Sequence, residues 1–254
     1  MTSSTAAAPD LSVIIPVLNE GYAIRAVLEQ LAAIAETVTY EVIVVDGDPQ
    51  GATLTYLPLN SNLQGILAQA GRGHQMNAGA ALAKGAVVLF LHADTELPPQ
   101  AFSKMLDAIS TDAVAGAFDF AIRSPSTSLK WISRWACWRS RLTRIPFGDQ
   151  AIFMALDTFN ALGGYQNFPI LEDVDLMRRL KQQQQPVKIL CDRVTVSARR
   201  WEQEGILFCT LRNWWILSLY YLGVSPEYLA QWYRPLSTSI PKKQPANIQF
   251  GEEK

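Results

Sequence analysis

Three short apolar runs constrain the fold of this chain more than any other feature of its sequence. LSVIIPVL occupies residues 11–18, EVIVVD residues 41–46 and AVVLFL residues 86–91. Unbroken runs of this length, rich in β-branched residues, are typical of strands that are buried on both faces. Segments with helical spacing lie between them, at residues 20–35 and 73–83. This alternation predicts an α/β fold with a mostly parallel sheet and helices on both faces.

The other elements are predicted from the same patterns. We expect a further strand at residues 53–59 and a helix at 98–109, followed by strands at 114–122, 151–155 and 187–190 and helices at 129–142 and 172–181. The predicted domain covers residues 11–204, with a helical C-terminal extension at 205–234. We expect residues 1–10 and 235–254 to be disordered, since the second segment is rich in Pro, Ser, Lys and Gln.

Charge and cysteine content weigh against some classes of function. The 254 residues carry 22 Lys and Arg against 23 Asp and Glu, a net charge of −1, which argues against a protein whose whole surface binds nucleic acid. Cys137, Cys191 and Cys209 have no metal-ligand spacing and are expected to be reduced core thiols of a cytosolic protein. No secretory signal is visible in the first ten residues. The apolar run at 206–222 is short for a membrane span, so we expect a core or interfacial helix there.

Polar and acidic residues follow three of the predicted strands directly. They are Asn19 and Glu20, Asp46, and the triplet His92-Ala93-Asp94. Ligands of open α/β sheets bind beyond the carboxyl ends of the strands, so these residues predict a ligand site at that edge. The alternative for each acid taken alone is a cap of a loop or helix.

The spacing of His92 and Asp94 suits a divalent metal. Residues at i and i+2 of an extended segment share a face, and Mg²⁺ or Mn²⁺ prefers carboxylate oxygen. One carboxylate offers too few ligands to hold a divalent cation by itself, so a diphosphate would have to supply further oxygens. The alternative for His92 is a hydrogen-bonded histidine that does not bind metal.

Two further segments hold residues suited to substrate chemistry. Arg72 stands between glycines at the start of a predicted helix, where it suits an anion, although such helix starts are common. Glu172 and Asp173 open another helix, where acids are ordinary partners of the helix dipole. They follow the flexible stretch GGY at 163–165, which could place a carboxylate over a cleft, and a single carboxylate base is what an alcohol nucleophile needs.

The chain resembles the family 2 glycosyltransferases of GT-A fold in an ordered series of motifs. They are SVIIPVLNE, EVIVVDG, GRGHQMNAGAALAKG, VLFLHADTELP, PFGDQAIF, ALGGYQNFPILEDVDLMRRL and SARRWEQEG. More narrowly, the chain resembles the bacterial subgroup called radical-SAM/selenodomain-associated transferase 2. The resemblance covers about residues 11–205 and implies a GT-A (Rossmann-like) sheet with a helical C-terminal extension.

The resemblance implies a donor site for a nucleoside-diphosphate sugar. Its residues would be Pro16, Asn19, Glu20, Asp46, Arg72, Ala93, Asp94, Arg199 and Arg200. Within this set Asp46 would hold the base, often uracil, and the last two arginines would close over the diphosphate. Asp94 would bind the metal, with His92 as a second, weaker candidate. The chain departs from the family pattern at His92, which replaces the first acid of Asp-x-Asp, and at DGDPQ in residues 46–50, which replaces the usual turn.

The resemblance also implies the catalytic and acceptor residues. Asp173 would be the catalytic base, with Glu172 beside it. Asp149, Gln150 and Trp201 would lie on the acceptor side. The implied enzyme is an inverting glycosyltransferase of the hexosyltransferase type that uses Mg²⁺ or Mn²⁺, with a UDP-type donor favoured and an unknown acceptor hydroxyl.

Three other functions compete with this one. A nucleotidyltransferase on a similar sheet usually has a Gly-rich basic loop after its first strand, and VLNE stands there instead. A non-catalytic nucleotide-binding module is disfavoured because Asp46, Asp94 and Asp173 are all retained. A nucleic-acid partner is not expected.

The segment at 120–148 contains no acid. Its bases are Arg123, Lys130, Arg134, Arg139, Arg141 and Arg144, and Trp131, Trp135, Trp138, Leu142 and Ile145 recur in it at the spacing of one helical face. One interpretation is a basic helix that lies on anionic lipid. We favour the other, a surface helix whose Trp face packs on the sheet. Lipid contact, which the run at 206–222 supports slightly, would make this a cytoplasmic enzyme, peripheral on the inner face of the plasma membrane, with an apolar or lipid-linked acceptor.

Overall fold

The predicted apolar runs form the centre of a sheet. The structure is a computed structural model that describes residues 8–233. Within that range the strands are β1 (Leu11–Val17), β2 (Tyr40–Asp46), β3 (Leu63–Leu67), β4 (Val87–Phe90), β5 (Thr95–Glu96), β6 (Ala115–Arg123), β7 (Phe153–Ala155) and β8 (Val187–Ser197). They form one sheet in the order β3-β2-β1-β4-β7-β6-β8-β5.

Helices cover both faces of this sheet. They are α1 (Gly21–Ile34), α2 (Arg72–Ala80), α3 (Ala101–Thr111), α4 (Thr127–Thr143), α5 (Leu156–Ala161), α6 (Glu172–Gln182), α7 (Arg199–Glu204), α8 (Ile206–Tyr221) and α9 (Pro226–Ala230). Short 3₁₀ turns lie at Leu54–Tyr56 and Gly148–Gln150. Alternate residues of β1 face opposite layers, with Val13 and Ile15 in one apolar cluster and Ile14 in the other. The prediction of an α/β fold with helices at the C-terminus is therefore confirmed.

The two halves of the sheet differ in strand direction. β1 pairs in parallel with both β2 and β4, and β3 extends the parallel half. β7 is antiparallel to β4 and to β6, whereas β8 runs parallel to β6 and antiparallel to β5. The sheet is thus mostly parallel, with β7 reversed at the junction of its halves and the short β5 reversed at one edge.

Pro16 marks the point where β1 and β4 separate. Pairing between these strands ends at Ile14 and Phe90, and the Leu91 N–H bonds the Ile14 carbonyl. In a parallel ladder the next donor toward β4 would be the amide of residue 16, and proline has no N–H. β1 remains paired with β2 as far as Val17, so a crevice opens between β1 and β4 at their carboxyl ends.

The prediction of a strand at residues 53–59 was wrong. This segment begins with the 3₁₀ turn Leu54–Tyr56, and the third strand is β3, ten residues further on. The Thr53 N–H is held by the Asp46 carboxylate, which keeps the segment out of the sheet. β3 was missed because it contains Gln64 and Gly65, which favour strands weakly.

Several other expectations concern the chain ends and the cysteines. Residues 234–254 and 1–7 lie outside the described residues, and with them the predicted tail and most of the predicted N-terminal segment. Cys137 and Cys209 are buried, but Cys191 is exposed, so the expectation of three core thiols was wrong for one of them. Among residues 8–233, no helix combines the length and apolar character needed to cross a bilayer.

Candidate active site

Gln75 joins the carboxyl ends of β1 and β2. Its buried side chain donates to the carbonyls of Val17 and Val45, at 2.8 Å in each case. The Gly47 N–H also bonds Val17, at 2.9 Å. A Cβ at Gly47 would lie 3.1 Å from Cδ of Gln75, so the absence of a side chain there allows this close packing. The edge of the sheet where ligands are expected is therefore held rigidly.

Asp46 lies in the interior at this edge. Its two carboxylate oxygens accept hydrogen bonds from the N–H groups of Asp48 and Thr53, both at 2.9 Å. The residue is 0% exposed. In this structure Asp46 therefore holds the loop after β2, and the role in holding the base that the resemblance implies for it stays a prediction.

Glu20 and Asp94 share the crevice between β1 and β4. Burial raises the pKa of the Glu20 carboxyl, the nearby charge of Asp94 raises it further, and Arg199 and Arg72 act in the opposite direction. The pairing of β5 with β8 brings Arg199 close, because it aligns Thr95 with Val196 just before α7 begins. Two carboxylates and two guanidinium groups thus face one another across the crevice.

Neighbouring arginines make this crevice suitable for an anion. Arg72 is exposed at the first position of α2, where backbone N–H groups also point outward. Burial lowers the pKa of Arg200, and the charge of Arg72 lowers it further. Arg200 also stacks on Tyr233, with its guanidinium carbon 4.6 Å from the ring centroid. Like charges held near one another favour a ligand of opposite charge, such as a diphosphate.

Other residues expected at the donor site differ in what they present to it. Asn19 is exposed and adopts a left-handed conformation (φ 58°), which asparagine tolerates better than most residues. Ala93 is 6% exposed and packs in the core, so only its backbone can face a ligand. Pro16 lies at the crevice because it has no N–H with which to continue the pairing of β1 with β4.

A divalent cation fits this crevice only together with a diphosphate. Within the described residues no group of three or more His, Cys, Asp or Glu side chains could hold a metal by itself. Asp94 is exposed at the mouth and its charge acts on Glu20, so carboxylate oxygens of the kind that Mg²⁺ prefers are present. The remaining ligands would have to come from substrate oxygens and water.

Asp173 and His92 meet at Gly148. Oδ2 of Asp173 accepts a hydrogen bond from the Gly148 N–H, and Oδ1 accepts one from Val174 at 2.7 Å. A Cβ at Gly148 would lie 3.2 Å from Oδ2 of Asp173 and 3.3 Å from Nε2 of His92. Burial lowers the pKa of His92 to about 3, and Arg72 contributes to the shift, so the imidazole is neutral. The glycine therefore allows a neutral imidazole and a carboxylate to approach the same point.

The stretch at 163–165, expected to be flexible, is held from two sides. Asn77 of α2 exchanges two hydrogen bonds with the backbone of Tyr165, at 2.8 and 2.9 Å. Arg179 of α6 donates to the carbonyls of Leu162 and Gly164, both at 2.6 Å. A Cβ at Gly164 would lie 2.6 Å from Oδ1 of Asn77. These contacts fix α6, and with it Asp173, against α2.

The carboxyl groups around Asp173 hold their protons more tightly than usual. Burial raises the pKa of Asp149 to about 7, and the charge of Asp173 adds to the effect while Arg139 opposes it. Burial and Asp173 also raise the pKa of Glu172, which is 6% exposed at the start of α6. Near neutral pH, Asp149 is therefore partly protonated, and the negative charge in this part of the site is reduced.

Gln150 and Trp201 were expected on the acceptor side, and the structure places both in packing roles. Gln150 is 1% exposed, donates to the Phe118 carbonyl at 2.8 Å and accepts from Ser140 at 2.6 Å. It thus ties the loop before β7 to β6 and α4. Trp201 packs against the core, with its ring centroid 6.5 Å from that of Phe120. Both residues position backbone segments, and the place on the acceptor side that the resemblance implies for them stays a prediction.

Arg139 is a site residue that the sequence did not single out. It lies half-buried on the flank of α4, with its guanidinium carbon 3.6 Å from the ring centroid of Phe147, and its pKa is lowered by burial and raised by Asp149 and Asp173. In the sequence it is one of six bases in an acid-free segment, and nothing in the spacing separates it from the others. Other bases of that segment have separate partners, since Arg141 pairs with Asp119 at 2.9 Å and Arg123 with Glu96.

The outer side of α4 corrects the interpretation that we favoured for the Trp face. Trp131 is 64% exposed and Trp138 54% exposed, whereas the buried positions of α4 are Leu129, Ser133, Cys137 and Ser140. The Trp face therefore does not pack on the sheet. Ile145, the last member of the predicted face, lies beyond the end of the helix and is buried.

The comparison with known proteins agrees with this fold. The sequence profile of Glycosyl transferase family 2 matches residues 12–162, which is more than half of the chain. A search of curated proteins finds no match. The matched range contains the crevice between β1 and β4 and Asp149, and it ends before Asp173 and the arginines of α7. Since this profile covers more than half of the chain and the fold is a mostly parallel α/β sheet, the chain belongs to glycosyl transferase family 2.

Proposed function

We propose that this family member is an inverting glycosyltransferase of the hexosyltransferase type, and that it belongs to the radical-SAM/selenodomain-associated transferase 2 subgroup. The donor would be a nucleoside-diphosphate sugar, with UDP favoured, and the acceptor a hydroxyl compound. The observation that carries this proposal is the arrangement at the carboxyl edge of the sheet. There the carboxylate of Asp173 lies beside a crevice that also holds Asp94, Arg72 and Arg199.

Asp173 is the proposed base. It would accept the proton of the acceptor hydroxyl while the hydroxyl oxygen attacks the anomeric carbon and the bond from that carbon to the diphosphate oxygen breaks. One displacement inverts the anomeric configuration. The hydrogen bond from Gly148 and the packing of α6 on the loop at 163–165 would hold the carboxylate in place for this step.

The crevice would stabilise the leaving nucleoside diphosphate. Arg72, Arg199 and Arg200 would bind its phosphate oxygens, where negative charge grows as the bond breaks. A cation, Mg²⁺ or Mn²⁺, held by Asp94 with His92 as a weaker candidate, would supply further positive charge there.

The acceptor is proposed to be apolar or lipid-linked, and the enzyme to be cytoplasmic with peripheral contact to the inner face of the plasma membrane. Support comes from the position of Asp149 and Asp173 next to Arg139 of α4, a helix that exposes tryptophans. An acceptor bound at Asp149 would therefore lie close to an apolar surface.

A thermal-shift screen tests the donor. Nucleoside-diphosphate sugars with different bases are added with and without Mn²⁺, and one of them is expected to raise Tm only when the metal is present. Arg72→Gln should abolish this shift, whereas Lys84→Gln, an exposed change of equal charge outside the crevice, should retain it. A shift from none of the donors, or an equal shift in the Arg72 variant, would contradict the proposed site.

A transfer assay tests the base and the reaction type. With the donor found in the screen, Asp173→Asn is expected to lower kcat by at least about a hundredfold with little change in donor binding. Asp157→Asn, an exposed acid at the start of α5, is the matched control. Release of the nucleoside diphosphate supports glycosyl transfer, whereas release of pyrophosphate would indicate a nucleotidyltransferase. Full activity in EDTA would rule out the metal.

A further inference from the structure

Two exposed apolar stripes meet on one surface of the molecule. Each stripe has the spacing of one helical face. They comprise Trp131, Trp135, Trp138 and Leu142 on α4, and Leu207, Leu211, Trp214 and Tyr221 on α8. The ring centroids of Trp135 and Trp214 lie 5.8 Å apart, so the stripes join into one surface, here called the aromatic face.

The aromatic face is far more exposed than apolar residues of a folded domain usually are. Each of its eight residues is at least 47% exposed. Contiguous apolar patches larger than a few hundred Å² are rare on monomers and mark places where a partner or membrane binds. Tryptophan and tyrosine are also the side chains that prefer the boundary between lipid and water, since each combines an apolar ring with a polar group.

The charges around the aromatic face match an anionic partner. Neither α4 nor α8 contains an aspartate or a glutamate. Lys130 and Arg134 are exposed on α4, and the guanidinium carbon of Arg134 lies 5.4 Å from the ring centroid of Trp131. Basic side chains beside an aromatic stripe can reach lipid phosphates while the rings enter the apolar layer.

We infer that the aromatic face docks onto the surface of an anionic lipid bilayer. A second copy of the chain fits less well, because a two-fold interface presents the same patch from both subunits. Lys130 and Arg134 would then face a surface that has bases and no acids on either helix. An anionic bilayer offers both an apolar layer and the opposite charge.

Docking in this orientation bears on the acceptor. Arg139 acts on Asp149 and Asp173 and lies one helical turn after Trp135 of the aromatic face, and Tyr221 of the same face also acts on it, so the site and the aromatic face are neighbours. A hydroxyl carried by a membrane-anchored molecule would thus lie near the base. This part of the inference rests on the proposed function, whereas the docking itself does not.

Vesicle sedimentation tests the docking without donor, metal or acceptor. Wild-type protein is expected to pellet with vesicles of phosphatidylcholine and phosphatidylglycerol at low salt, and much less at high salt or with phosphatidylcholine alone. Trp131→Ser with Trp138→Ser should weaken binding at least about tenfold. Lys130→Gln with Arg134→Gln should weaken it about fivefold per base removed.

The matched control is Leu59→Ser with Leu82→Ser, which removes exposed apolar side chains elsewhere and should bind as the wild type does. Circular dichroism checks that each variant is folded. Absence of lipid-dependent pelleting, or equal pelleting of the tryptophan variant, would overturn the docking. A dimer in sedimentation velocity that the tryptophan variant dissociates, without vesicle binding, would assign the face to a second copy instead.

Two further measurements separate the docking from the proposed function. Asp173→Asn should bind vesicles as the wild type does, so a failure of the catalytic assignment leaves the docking intact. With an active donor, labelled sugar should enter the organic phase of vesicles made from total polar lipid, and the Trp131 and Trp138 double variant should lower that incorporation at least tenfold. Label found only in water-soluble products would overturn the membrane-anchored acceptor.

Discussion

Helices α3 and α4 pack on the same apolar layer of the sheet, but α3 turns mainly apolar side chains toward the protein and α4 turns mainly small polar ones. α3 buries Ala101, Phe102, Met105 and Ala108 and exposes polar residues such as Asp107. α4 places Ser133, Cys137 and Ser140 against the protein and turns its tryptophans outward. Apolar burial therefore accounts for α3, whereas α4 buries fewer apolar side chains, Leu129 chief among them, and a further interaction holds it in place.

That interaction is with the open edge of β6. β7 is short and pairs with β6 only at Ala115 and Gly116, which leaves later backbone groups of β6 without a strand on that side. Side chains take over there. Ser133 accepts from the Ile122 N–H at 3.1 Å, and Cys137 contacts both the N–H and the carbonyl of Phe120 at 3.3 Å. Small polar residues are buried on α4 because they satisfy a sheet edge, which tryptophan could not do.

The largest expected difference between the two helices is in core packing. Phe102→Ala on α3 removes a fully buried ring and should lower the free energy of unfolding by about 3–5 kcal/mol. Trp138→Ala on α4 removes a larger ring that is half exposed and should cost less than about 1 kcal/mol. Chemical denaturation of both variants measures this, and equal losses would show that the outer side of α4 is buried in solution.

A smaller effect is expected from the hydrogen bonds of α4. Ser133→Ala leaves the buried Ile122 N–H without its partner and should cost about 1–3 kcal/mol, again by chemical denaturation. Ser128→Ala, on the exposed part of the same helix, is the control and should be close to neutral. A neutral Ser133 variant would mean that these bonds do not hold α4 on β6.

The carboxyl group beneath α4 should make stability depend on pH. The folded-state pKa of Asp149 is raised to about 7 from 3.8, so between about pH 4 and 7 the folded protein keeps a proton that the unfolded chain has lost. Stability from this group therefore falls as pH rises through that window. Asp149→Asn should be more stable than wild type at pH 8, by on the order of 2 kcal/mol, and should lose that advantage near pH 4.

Thermal unfolding at pH 4.5, 6 and 8 checks this prediction. Asp107→Asn on the exposed side of α3 makes the same change of formal charge, and its difference from wild type should vary far less across the series. A stabilisation of the Asp149 variant that is independent of pH would contradict the assignment.

The smallest expected effect concerns Arg139 and activity. Its charge opposes the rise in the pKa of Asp149, so Arg139→Gln should raise that pKa further. Asp149 lies in the proposed acceptor site, so we expect the acidic limb of the pH–activity profile to follow its ionisation and to move to higher pH, by up to about one pH unit. Arg134→Gln, on the outer side of α4, should leave the limb in place. If the acidic limb of the profile does not move in the Arg139→Gln variant, the charge of Arg139 does not influence the reaction.

Most strands of both halves of the sheet could be predicted, and the exceptions are β3, β5 and the second half of β8. β1, β2 and β4 begin and end within a residue or two of the predicted bounds, because buried parallel strands are continuous apolar runs. β3 was missed because its sequence is partly polar, and it is a strand only because β2 offers it an open edge. In the candidate site, the sequence identified the acids that follow the strands, but it did not show in which direction their side chains point.

The sequence by itself determined the α/β class, the sheet edge that carries the polar groups, and the start of α6 with Glu172 and Asp173. Those features follow from local periodicity and from residue types at strand and helix ends. Only the tertiary structure decided that Asp46 and Gln150 are buried, that Arg139 faces the site, and that the tryptophans face outward. The spacing of residues on a helix does not show which face will be buried. In this fold the open edge of β6 binds the polar side of α4, so the tryptophans face outward.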